Sequence, residues 1–174
     1  MKTFLLWHGM RLSIVFAVMA VMLPLTTLAH EAAHQFGGVL SGRDWGEMKL
    51  YAFGFLGGHA YCGEMSCPLL FIAGPSLFVH APAVLMLLVA LRYRWHPLVI
   101  LTILAPAWYG GAYALVDAWL GGTAGGDFIQ LSSFVPMTVI QTSGAAVFLL
   151  CMVALDLATV RLKEKQKKNR GETR

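Results

Sequence analysis

The segment Leu28-Ala29-His30-Glu31-Ala32-Ala33-His34-Gln35-Phe36 holds two histidines four residues apart, with a glutamate directly after the first. On an α-helix that spacing puts both imidazoles on one face, where they reach a single metal ion. Zinc is the expected occupant, one Zn2+ per chain, because neutral imidazole nitrogen is a natural ligand for it and a catalytic site keeps one position for water. Glu31, one step round the helix, falls beside the metal rather than on it, placed to take a proton from a water that the metal acidifies towards neutrality. The chemistry assembled in this way is metal-assisted hydrolysis of a peptide bond. A coincidental pair of histidines, satisfied by backbone at a helix end, would leave a carboxylate stranded in an apolar helix, where ionisable groups are costly and by default functional.

The elements that must position these residues lie in a membrane. Of 174 residues, 57% are hydrophobic and 13% charged, and the mean hydropathy is +0.66, which excludes an ordinary water-soluble domain. Runs of about 20 apolar residues cross a hydrocarbon core of roughly 30 Å, and four are present. The first starts after Arg11 and leads into the histidine motif; the others cover about Pro68 to Leu91, Pro97 to Leu120 and Phe134 to Val160. An all-α membrane protein of about four transmembrane helices is therefore expected, with residues 1–160 as one polytopic domain and 161–174 as a basic tail. That tail carries seven basic and two acidic residues, a balance of +5 against +4 for the whole chain. The basicity belongs to a lipid-proximal end and not to a nucleic-acid groove, where aromatic and basic residues would interleave.

Lys and Arg in short loops set orientation. Lys2 and Arg11, the pair Arg92 and Arg94, and the tail fall on one side, so both termini are expected in the cytoplasm of a multi-pass plasma-membrane protein. The loops 38–66 and 121–133 then face outwards. The first of these, rich in glycine and containing Leu50-Tyr51-Ala52-Phe53-Gly54-Phe55, suggests a short strand pair or re-entrant loop after the first span. Cys62 and Cys67 within it are a candidate disulfide, whereas Cys151 suits a small apolar position in the fourth span. The five tryptophans, Trp108 among them, are expected near span ends as an interfacial belt. Glycine pairs such as Gly37-Gly38 and Gly110-Gly111 suit close packing. Lys2, the apolar stretch and Thr26-Thr27-Leu28-Ala29 also compose a passable secretory signal; cleavage after Ala29 would make His30 the first residue of a metal-binding protein.

A catalytic zinc site usually has three protein ligands, so a third is required. His59, His80, Asp117, Asp127 and Asp156 are the candidates. The motif falls at the outer end of the first span, while Asp156 lies near the inner end of the fourth. Topology keeps Asp117, at the outer end of the third span, and Asp127, at a glycine-rich entry to the fourth.

His30-Glu31-Ala32-Ala33-His34 on a spanning helix, a glycine-rich strand-like segment, Ala73-Gly74-Pro75 opening the next span and an aspartate entering a late span resemble the site-2 protease class of intramembrane zinc metalloproteases. The likeness extends over about Leu28 to Leu131. It implies zinc held by His30, His34 and Asp127 and a base at Glu31. It also implies a membrane protein or membrane-bound peptide as substrate, cut in or beside the bilayer after local unwinding. Members of the class commonly carry an asparagine shortly after Gly-Pro and an Asn-x-x-Pro before Asp-Gly. Here Phe78 stands at the first place, Gly125-Gly126-Asp127-Phe128 at the second, and Asn169 is the one asparagine. Gln130, Gln141 and His80 are the candidate replacement donors. The alternative that these departures favour is a non-proteolytic zinc protein regulating a partner.

Overall fold

A computed structural model describes residues 2–51, 58–62, 67–119 and 127–169. The order is helix α1 (Lys2–Leu40), strands β1 (Met48–Leu50) and β2 (Gly58–Ala60), and helix α2 (Leu69–Pro75). A π-helical turn (Ser76–His80) then leads into α3 (Ala81–Arg92), followed by α4 (Pro97–Trp119), α5 (Asp127–Leu131) and α6 (Met137–Asn169). Four stretches are long and apolar enough to cross a membrane: Ser13–Leu40, Leu69–Arg92, Pro97–Val116 and Met137–Lys165. The chain is thus an all-α membrane protein with a small antiparallel strand pair after its first helix.

Lipid contact inverts the usual distribution of polarity on α1. Phe16, Val21, Leu25 and Leu28 face outwards, while Thr27, His30, Glu31, His34 and Gln35 are buried. The polar stripe follows helical spacing, so one face of an apolar helix delivers all of it to the bundle. Between helices in lipid, close packing replaces the hydrophobic drive, and glycine supplies the closeness. A Cβ on Gly37 would lie 1.9 Å from the carbonyl oxygen of Leu70, and one on Gly74 would lie 2.3 Å from that of Ala33. The motif-bearing end of α1 and helix α2 therefore cross backbone to backbone. Gly111 and Gly144 serve the α4–α6 contact, where a Cβ on Gly144 would sit 2.9 Å from that of Ala114. The core behind these crossings gathers Leu87, Ile100, Leu104, Cys151, Ala154 and Ala158.

Helix α1 ends where Gly42 takes φ +83°. The Arg43 N–H returns to the Gly38 carbonyl at 3.1 Å and the Gly42 N–H to that of Val39 at 2.9 Å, the two bonds of a Schellman stop. The chain then turns back along α1 as a hairpin that pairs Met48 with Ala60, Lys49 with His59 and Leu50 with Gly58. Gln35 fixes the hairpin from below: its Oε1 accepts the Gly46 N–H at 2.7 Å, and its Nε2 donates to the carbonyls of Tyr61 and Glu47 at 3.2 and 3.3 Å. Cys62 and Cys67 form a disulfide, and Arg43 donates to the Cys62 carbonyl.

Two sequence expectations shift. Asp127 opens not the fourth span but a separate five-residue helix, α5; Pro136, which lacks an N–H, precedes the start of α6. Trp108 is not at a span end either. It lies in the middle of α4, packed against the apolar core, because its broad ring fills space between helices there.

Candidate metal centre

His30 and His34 are brought to one point by the i, i+4 geometry of α1, and both are about 96% buried or more. The third member arrives from α5. Oδ2 of Asp127 lies 2.9 Å from Nε2 of His30 and 3.1 Å from Nε2 of His34. His30, His34 and Asp127 form a group able to hold a metal ion, with one ligand atom each and all three within 4.8 Å of one another. Metal–nitrogen bonds of about 2.0–2.1 Å at tetrahedral angles set ligand atoms roughly 3.3 Å apart, close to the spacing found.

The outer nitrogens of the rings decide what the inner ones can do. Nδ1 of His34 faces the Phe71 carbonyl at 2.7 Å; a carbonyl only accepts, so Nδ1–H donates and a neutral ring keeps its lone pair on Nε2. His80 Nδ1 likewise donates to the Pro106 carbonyl at 2.8 Å, which leaves His80 Nε2 as acceptor. That acceptor stands 2.9 Å from Nδ1 of His30, so His30 also donates through Nδ1 and holds its lone pair on Nε2. Both lone pairs point at a carboxylate. Burial raises the Asp127 carboxyl, but a ring that carries a second proton on Nε2 outweighs it by hydrogen bond and charge and holds the group well below the ordinary carboxylate range. Something positive must lie between these three acceptors: a second proton on a ring, making a buried imidazolium, or a metal ion. The donor set of two imidazoles and a carboxylate fits the ion.

Glu31 is outside the ligand group and beside it. The Ala60 N–H of β2 binds its carboxylate, and a Cβ on Gly58 would lie 2.5 Å from its Cγ and 2.8 Å from its Oε1. Gly58 thus lays bare backbone over the glutamate. Around His30, the rings of Tyr109 and Tyr113 stand at 5.5 and 5.9 Å, and Phe71 packs on His34 at 5.0 Å.

The remaining candidates fall elsewhere. His59 is on the exposed face of β2, its ring against Tyr61. Asp156 is exposed on α6. Asp117 belongs to α4, and its side chain lies outside the described residues. His80 enters the site as the partner of His30 and not as a ligand or a free donor. Sequence reasoning did not single out Tyr109 and Tyr113, although Tyr-x-x-x-Tyr in a spanning helix has the same four-residue spacing as the histidines. In comparisons with known proteins, no family model, curated protein or solved structure matches the chain.

Proposed function

We propose that this protein is a zinc-dependent intramembrane metallopeptidase, similar in its chemistry to site-2 proteases, that hydrolyses peptide bonds of membrane-embedded or membrane-proximal substrates. The observation that carries this reading is the meeting of His30, His34 and Asp127 at one point with Glu31 alongside. When bound, zinc supplies a Lewis acid that polarises the scissile carbonyl and acidifies water. His30 and His34 would hold the ion through Nε2 and Asp127 through Oδ2. Glu31, steadied by the Ala60 N–H, takes the proton of the attacking water and hands it to the leaving amine, so that water and one peptide bond become a carboxylic acid and an amine. Tyr109, Tyr113 and Phe71 exclude bulk water from the centre. A substrate helix must unwind locally, since its carbonyls are engaged in its own backbone bonds. On this reading both termini lie in the cytoplasm and the hairpin outside, as the positive-inside pattern favours, and the membrane proposed is the plasma membrane.

The test pairs metal analysis with cleavage. Detergent-purified protein should carry about one zinc per chain and cut a membrane-peptide library, and Glu31→Gln should keep the zinc while losing cleavage. Zinc-free wild type overturns the metal centre; zinc-loaded protein that cuts nothing, with partner regulation intact in Glu31→Gln, favours a non-proteolytic regulator.

A further inference from the structure

Among the described residues His80 belongs to no metal-ligand group, yet its own helix and α4 both serve to place it. The π-helical turn Ser76–His80 interrupts the helix that runs from Leu69 to Arg92 and ends on this residue; such turns shift the register of the side chains beyond them. Gly110 of α4 leaves open the space the ring occupies, because a Cβ there would lie 2.5 Å from Cγ and 2.8 Å from Nδ1 of His80. Pro106, one turn earlier on α4, presents the carbonyl that takes the Nδ1 proton at 2.8 Å. The ring is then stacked on Tyr109, with centroids 5.9 Å apart and planes within 17°. A histidine held from three sides with 6% exposure is fixed in rotation as well as position.

Its free lone pair therefore has one direction, towards Nδ1 of His30 at 2.9 Å. We infer that His80 is a positioning residue for the metal centre: it selects the His30 tautomer that bears its lone pair on Nε2 and locks that ring towards Asp127. His34 reaches the same state through a plain backbone carbonyl, one of the usual partners of a ligating imidazole. Among the described residues His30 faces no such carbonyl, and His80 relays the one at Pro106. The chain Pro106 carbonyl, His80, His30, metal thus joins α4, the π turn and α1, so that the ligand is oriented by the packing of three elements. The inference rests on the metal-centre reading.

The experiment uses full-length protein in detergent loaded with Co2+, whose visible absorption reports ligand geometry, together with competition for Zn2+. His80→Gln keeps an acceptor for His30 and a donor for Pro106; His80→Leu keeps neither. His80→Leu should bind zinc about 10- to 100-fold more weakly, the usual effect of removing an outer partner of a ligand, with an altered cobalt spectrum. His80→Gln should restore both to near wild type. Melting temperature and gel-filtration profile give the fold of each variant. Wild-type affinity and spectrum in a folded His80→Leu overturn the inference alone, as does His80→Gln failing like His80→Leu while folded, since shape and not hydrogen bonding would then matter. Wild type that takes up neither cobalt nor zinc overturns the metal reading itself.

Discussion

Asp127 meets His30 across 97 positions of sequence, with Oδ2 2.9 Å from Nε2. The same oxygen is 3.1 Å from Nε2 of His34, so a short helix outside the spans completes what α1 begins. Removing Asp127 leaves two neutral imidazoles and takes away the anionic ligand of the candidate site. In Asp127→Ala and His34→Ala, zinc content should fall from about one per chain to near zero, because metal binding needs the whole preorganised set. Asp117→Ala should retain it. Elemental analysis of the three variants from parallel preparations decides the ligand.

Gly58 and Glu31 offer a way to disturb the proposed base without touching the candidate metal ligands. A Cβ at Gly58 would crowd Glu31 Cγ at 2.5 Å, so Gly58→Ala moves either the carboxylate or the strand. A displacement of about 1 Å at a catalytic group costs on the order of a hundredfold in rate, and kcat/KM for a membrane-peptide substrate should fall between tenfold and a hundredfold on that scale. Zinc content should stay at the wild-type level. Equal loss of zinc would show that the strand supports the ligands instead.

The α1–α2 crossing should be the most fragile contact in detergent. Gly37→Ala would force a methyl to 1.9 Å from the Leu70 carbonyl oxygen, and Gly74→Ala one to 2.3 Å from that of Ala33. Both obstacles are backbone and cannot swing aside. Overpacking of this kind costs about 1–3 kcal/mol or more, seen as a lower melting temperature. Gly111→Ala meets first a Val147 methyl at 3.0 Å and should cost less. Equal melting temperatures for all three variants would contradict the close crossing.

Cys62 and Cys67 are bonded and Cys151 is free and buried. Alkylation of unfolded, unreduced protein should therefore add one label per chain, and three after reduction, read by intact mass. For a loop with a separation of 5, loop-closure entropy alone assigns about 2 kcal/mol to the bond. Cys67→Ser should lower the melting temperature accordingly, and the Arg43 bond to the Cys62 carbonyl should limit further loss.

The four spans, the strand pair and the two histidines with their glutamate were legible in the sequence, because each is a local pattern: apolar length matched to a bilayer, glycine breaks between strand-forming residues, and helical spacing. Asp127 was legible only as one of several acids, narrowed by topology to two and favoured by resemblance. The sequence could not show that it sits on its own short helix, or that Trp108 packs mid-helix against the core, since both depend on how distant helices meet. The tertiary structure decided the role of His80. In one dimension it is a histidine in an apolar span, and its four neighbours in space, His30, Tyr109, Pro106 and Gly110, come from two other helices. Spacing along one helix fixes which side chains share a face; which nitrogen of each ring holds the proton is fixed by whatever that face is packed against, and for this chain packing alone set both lone pairs towards Asp127.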